Sequence, residues 1–247
     1  MGSNSPIVVA GSGGSGTRAV AQFLATSGVE MGGPLNPSLD ALAFVDIFET
    51  MINPILEVTR CLDYDAADLP GDLAGRMTAM LRAAADRHCP PASRQRRWGF
   101  KNPRHLFLLP LLERVFPGFR FVHVLRDGRD MVLSDNQNQP RMYSGSLFGR
   151  SGELTPEASA VFWATANLQA AAYCARVLGP RYIRVRLEDL CAAPEHAYGL
   201  ARALGLDEEQ VGSDIFRAPA SLGRWRSSAE PPVVGIFATA LAAFGYL

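Results

Sequence analysis

The chain has almost no lysine: of its 24 basic residues, Lys101 is the one lysine and the rest are arginine. Alanine- and arginine-rich coding produces such a bias and points to a bacterial source. A lysine that persists against it marks a position where the compact ammonium is needed. Net charge is missing too, with 24 basic residues against 24 acidic ones. That balance excludes the global basic field that holds nucleic acid, so an anion must be gripped locally. No apolar run reaches the length of a membrane span, and residues 1–6 lack a basic segment followed by an apolar one. The reading is of a cytoplasmic protein with neither signal peptide nor membrane span. Cys61, Cys89, Cys174 and Cys191 show no paired spacing, which predicts reduced, structural thiols and no metal site. Internal repeats and long low-complexity linkers are absent as well.

What is present is enough apolar material for a packed core: 247 residues, 48% of them hydrophobic. Buried strands are expected at Ile7–Ala10, in "RWGFK" ending at Lys101, at Phe119–Leu125 and at Tyr182–Leu187. Helical patterns lie between them, at Ser15–Ser27, up to about Met51, at Asp72–His88, at His105–Phe116 and at Pro156–Leu178. Alternating strands and helices predict an α/β fold of three layers, a parallel sheet flanked by helices, in a single domain over 1–247. Residues 32–70 read as an insertion over the sheet. Residues 139–154, "QPRMYSGSLFGRSGEL", lack periodicity and are expected to form a mobile loop. The apolar end, "VVGIFATALAAFGYL", reads as a closing helix or a contact in a homodimer.

Ligands of such sheets sit at the carboxyl ends of the strands. The stretch "IVVAGSGGSGTRAV", Ile7 to Val20, places a glycine turn there at a helix start, where backbone N–H groups and the helix dipole favour a phosphate. Ser12, Gly13, Gly14, Ser15, Gly16, Thr17 and Arg18 are the candidate donors. Read as a Walker A loop, the stretch has Thr17 in place of the lysine and Arg18 in place of the magnesium-binding hydroxyl. Read as a GxGxxG fingerprint, it has Glu30 near the distance of a ribose-binding acid, but lacks the second strand that should carry it. An NAD(P)-dependent oxidoreductase and a noncatalytic nucleotide-binding module are the alternatives this leaves.

A second charged cluster follows a buried strand in "FVHVLRDGRDMVLSDNQNQ", with Arg126 at the strand end and Ser134 eight residues on, in the helix expected after it. Together with the glycine loop this resembles the sulfotransferase family, whose donor is 3′-phosphoadenosine-5′-phosphosulfate. "WGFKNPRHLFLLPLLERVFPGFRFVHVLRD", "RVRLEDL" and "SLGRWRS" continue the resemblance in order, from Pro6 to about Ser227. It implies a P-loop-type fold and transfer of a sulfuryl group, in line and without a metal, to a small-molecule or carbohydrate hydroxyl. The product nucleotide would be adenosine 3′,5′-bisphosphate. It also implies that Ser12 to Arg18 hold the 5′-phosphosulfate, that Arg126 and Ser134 hold the 3′-phosphate, and that Arg224 adds a donor, with Arg226 beside it.

In the same resemblance Lys101 ends the strand before a helix and meets the charge on the leaving oxygen. The acceptor hydroxyl needs a base. His105, shortly after Lys101, and Asp40, in "NPSLDAL", are both candidates. His123 reads as a hydrogen-bonded core histidine, Arg129 and Asp130 as an ion pair at a helix start, and Trp163 with Asn167 as a core tryptophan and a bonded amide. Leu42, Phe44, Phe48, Met142 and Tyr143 are candidates for an apolar acceptor pocket.

Overall fold

The computed structural model describes residues 5–149, 152–210, 212, 215–227 and 233–247. Four strands, β1 (Ile7–Gly11), β2 (Gly99–Lys101), β3 (Arg120–Leu125) and β4 (Tyr182–Arg186), form one sheet in the order β2-β1-β3-β4. Every pairing is parallel: Val9 lies opposite Lys101 on one side and Val122 on the other, and His123 lies opposite Arg184. The chain leaves β1 towards β2 and then crosses to β3. The reversal opens a crevice at the carboxyl ends, where such sheets bind ligands.

Alternation along the strands divides the core into layers. Val8, Ala10, Phe100 and Phe121 face one side, against α2 (Val45–Thr59), α3 (Gly71–His88), α4 (Leu109–Val115), α6 (Asn138–Phe148) and α7 (Pro156–Val177). Val9, Val122 and Val124 face the other, against α1 (Thr17–Thr26), α8 (Leu187–Ala192) and α9 (Pro194–Leu204). A third cluster joins α5 (Gly128–Val132) to α7 and α10 (Gly235–Ala243) through Met131, Trp163 and Phe237. The α/β architecture expected from the sequence is the one observed. No described helix is long and apolar enough to cross a membrane.

Two expected elements differ. Residues 138–148 are helical, not a loop, because Tyr143 and Leu147, one turn apart, are buried, while Pro140 sits in the first turn where its missing N–H costs nothing. Residues 150 and 151 of that expected loop lie outside the described residues. The helix expected from His105 begins instead as a 3₁₀ turn, Pro103–Leu108, and turns α-helical only at Leu109. Pro110 cannot donate to the carbonyl four residues back, which separates the two pieces.

Candidate active site

The crevice is built on the turn between β1 and α1. Gly11 must be glycine, since a Cβ there would lie 2.2 Å from the Val124 carbonyl oxygen on β3. Gly16 turns the chain into α1 with φ 98°, and a Cβ on it would also meet Leu187 Cδ1 at 2.6 Å. The backbone N–H groups of Gly14, Gly16, Thr17 and Arg18 find no acceptor among the described residues. Ser15 is 1% exposed, and its hydroxyl is buried without a partner. A buried unpaired hydroxyl costs about 1–3 kcal/mol, so this turn is a set of donors held ready for an acceptor.

Two amides from distant helices brace the turn. Gln139 at the start of α6 accepts from Gly13 N through Oε1 at 3.1 Å and donates from Nε2 to the Gly11 carbonyl at 3.3 Å. Asn167, in the middle of α7, donates from Nδ2 to Ser12 Oγ at 3.2 Å.

Arg126, at the end of β3, faces the turn: Nη1 lies 3.4 Å from the Gly14 carbonyl oxygen. Its other edge is held by the fully buried Asp130, whose Oδ2 accepts from Nε at 3.2 Å and from Nη2 at 2.9 Å. The same carboxylate accepts from Gly223 N at 2.7 Å and Trp225 N at 3.1 Å, and Arg126 Nη2 also donates to the Ser221 carbonyl. Asp130 therefore ties the segment 221–225 to the arginine. Arg224 reaches back from that segment to the Leu133 carbonyl at 3.1 Å. Ser134 is half-buried and lies just beyond the last residue of α5, not within the helix, with Oγ accepting from Asn136 N at 3.2 Å.

On the other side of β1, Lys101 closes the crevice. It is 3% exposed; Nζ donates to Asp40 Oδ1 at 2.7 Å and to the Ser38 carbonyl at 2.9 Å. Burial pulls its ammonium below the usual lysine range, opposed by the Asp40 carboxylate and assisted by the charge of Arg18. Asp40 is held in turn by Asn36, whose Nδ2 donates to Oδ2 at 2.9 Å. Arg18 is exposed, with no hydrogen-bond or ion-pair partner among the described residues.

The sulfotransferase family model matches residues 6–210, most of the chain. The chain belongs to the sulfotransferase family. Solved structures agree on the fold. A sulfotransferase domain from the curacin biosynthetic pathway superposes with a TM-score of 0.61 at 13% identity, covering 98% of each chain. A sulfotransferase domain from the Synechococcus PCC 7002 olefin synthase gives 0.58 at 17% identity, over 98% of this chain and 94% of that one. Sulfotransferase STF1 from Mycobacterium tuberculosis H37Rv gives 0.51 at 16% identity, over 98% and 77%. No protein of curated function matches the chain.

In this sulfotransferase the crevice gathers the glycine turn, Arg126, Ser134, Arg224, Lys101 and Asp40, and leaves His105 out. The 3₁₀ turn rolls that imidazole into a cage of Phe44, Phe48 and Phe100, with ring centroids 4.8, 4.9 and 4.8 Å away. It is fully buried, neither ring nitrogen has a partner, and burial lowers its pKa to about 3. A base must reach the proton it takes, and His105 reaches none. Glu30, the ribose acid of the oxidoreductase reading, bridges to Trp98 before β2 begins, at the opposite end of the sheet, and accepts from Gly32 N at 2.9 Å. Phe44, Phe48 and Tyr143 are core residues rather than pocket walls, while Leu42 and Met142 are exposed.

The ion pair expected between Arg129 and Asp130 is not the one formed. Arg129 binds Asp127, Nη2 to Oδ2 at 2.7 Å, and lies 3.5 Å over the Trp225 ring, which frees Asp130 for Arg126 one helical turn away. Gln139 was invisible to sequence reading, since no periodicity marks it. Asn167 carried a signal, an amide on a buried helix face, without showing what it bonds.

Proposed function

We propose that this sulfotransferase takes its sulfuryl group from 3′-phosphoadenosine-5′-phosphosulfate and passes it to the hydroxyl of a small molecule or carbohydrate. The observation that carries the reading is the meeting of two anion cradles: a glycine turn with an unpartnered buried serine, and a guanidinium 3.4 Å from that turn's Gly14 carbonyl. Ser12 to Arg18 would hold the 5′ end, with the N–H groups at the mouth of α1 as donors. Arg126, Ser134 and Arg224 would hold the 3′-phosphate, the planar guanidinium matching its oxygens. Thr17 and Arg18 occupy the places where a Walker loop keeps its lysine and magnesium-binding hydroxyl, so leaving charge falls to Lys101 rather than to a metal.

In the reaction the acceptor oxygen forms a bond to sulfur as the bond from sulfur to the bridging phosphate oxygen breaks. Asp40 takes the proton of the acceptor hydroxyl. Lys101, freed from that carboxylate as it becomes neutral, donates to the oxygen on which charge develops. The products are a sulfate ester and adenosine 3′,5′-bisphosphate. The Lys101–Asp40 pair thus joins the two ends of the transfer in one contact.

Calorimetric titration with adenosine 3′,5′-bisphosphate and with NAD tests the donor, and mass spectrometry of products from a panel of sugars, phenols, steroids and peptides tests the transfer. Binding of the bisphosphate at least about tenfold tighter than NAD, with a gain of sulfate on one acceptor class, is the expected result. Preference for NAD overturns the reading. Binding of the bisphosphate without sulfated product from any class leaves a nucleotide-binding module.

A further inference from the structure

Behind the glycine turn an unbroken line of polar groups runs from the half-buried Tyr182 through two fully buried side chains to Ser12. Tyr182, at the start of β4, lies with its hydroxyl 3.0 Å from His123 Nδ1. His123 Nε2 lies 2.9 Å from Asn167 Oδ1, and Asn167 Nδ2 lies 3.2 Å from Ser12 Oγ and 2.7 Å from the Trp163 carbonyl. His123 and Asn167 are both fully buried.

The direction of every bond in this line follows from its one fixed point. A backbone carbonyl only accepts, so the amide group of Asn167 that meets Trp163 must be the NH₂, and its oxygen must face His123. The histidine nitrogen facing that oxygen must then carry the proton. Buried among Phe121, Tyr182 and Phe244, the ring is neutral, so its other nitrogen accepts and Tyr182 donates to it. At the far end, the second amide hydrogen of Asn167 occupies a lone pair of Ser12 Oγ. The Ser12 hydroxyl hydrogen has no acceptor among the described residues and is left for whatever the turn binds.

We infer that Asn167 is a positioning residue, oriented by His123, that sets the Ser12 hydroxyl as a hydrogen-bond donor toward a phosphate oxygen in the glycine turn. The inference rests on the nucleotide reading above for the identity of the ligand, but the polarity of the line stands without it. The chain of donors is a built-in bias: a serine hydroxyl can point either way, and this arrangement spends its accepting side on protein. It also links β4, on the sheet edge, to the mouth of α1 in the middle.

Two measurements test it. In the ¹⁵N spectrum of the full chain, His123 is expected as the neutral tautomer protonated at Nε2; protonation at Nδ1 overturns the inference whatever the protein binds. In titrations with adenosine 3′,5′-bisphosphate, Ser12→Ala is expected to weaken binding about fivefold to thirtyfold and Asn167→Ala about threefold to tenfold. Because Asn167 acts through Ser12, the double variant should bind no more weakly than Ser12→Ala alone. Multiplying losses, or an Asn167→Ala variant that binds like the parent, overturn it. Should Asn167→Ala fail to fold by thermal melting, His123→Phe keeps the ring volume, leaves the amide unheld and enters the same cycle. If the parent shows the Nε2 tautomer and does not bind the bisphosphate, the nucleotide reading fails and the assignment of a phosphate to Ser12 falls with it.

Discussion

Lys101 and Asp40 hold each other at 2.7 Å with the lysine almost wholly buried, so neither is removed without leaving its partner uncompensated. Lys101→Ala is expected to lower kcat by about 10²–10³. Affinity for adenosine 3′,5′-bisphosphate should change less than about threefold, because this lysine serves the developing charge rather than the bound nucleotide. Asp40→Asn removes a charge that raises the Lys101 pKa, so the alkaline limb of its pH-rate profile should move to lower pH, with kcat reduced about 10²–10⁴. Steady-state kinetics across pH checks both; an unmoved limb with kcat intact would remove Asp40 from the reaction.

Arg126 does two jobs, and one conservative change separates them from mere charge. Arg126→Lys keeps the cation but cannot reach Asp130 with two nitrogens while facing Gly14 and Ser221 with the rest. Calorimetry should show bisphosphate binding weakened by about tenfold or more. The same variant should melt at lower temperature, since Asp130 is fully buried and also carries the Gly223 and Trp225 amides. Parental affinity in Arg126→Lys would mean that the 3′-phosphate is bound elsewhere.

His105 and His123 are buried neutral, with pKa values lowered to about 3 and about 4 from 6.5, chiefly by loss of water around the ring. Below about pH 6.5 the unfolded chain binds protons that the native one refuses, so stability is complete above that pH and falls as pH drops. By pH 5 each ring removes about 2 kcal/mol. His105→Leu should abolish one of these shares, visible as a flatter dependence of urea midpoints on pH. Turnover should stay within about threefold of the parent. Loss of turnover in a folded His105→Leu protein would return the imidazole to the chemistry.

The strand, glycine turn and helix of residues 7–26 were legible because the apolar run, the glycines and the helical stripe are all local. Arg126 and Lys101 were legible as residues at strand ends, and Lys101 does end β2 while Arg126 directly follows β3. His105 was not. Its spacing after Lys101 says nothing of the 3₁₀ turn begun at Pro103, nor of the three phenylalanines from two other segments that receive it. The partner of Arg129, Asp127 rather than Asp130, was illegible for the same reason: Asp130 accepts from the Gly223 and Trp225 amides of a segment some ninety positions later, and Arg129 lies over the Trp225 ring. Helix α6 escaped notice because only two of its buried residues, Tyr143 and Leu147, are large and apolar, set among glycines and serines, and Gln139 at its tip acts on residues more than a hundred positions earlier.

The central position of β1 has a consequence for biosynthesis. Val9 takes its neighbours from Lys101 on one side and Val122 on the other. The strand therefore leaves the ribosome apolar on both faces, and its two mates follow only with residues 99–101 and 120–125. Parallel pairings of such separation are slow and expose sticky edges. A nascent chain arrested before β3 would carry every glycine of the turn without Val124, Gln139 or Leu187, the later neighbours that give those glycines a shape.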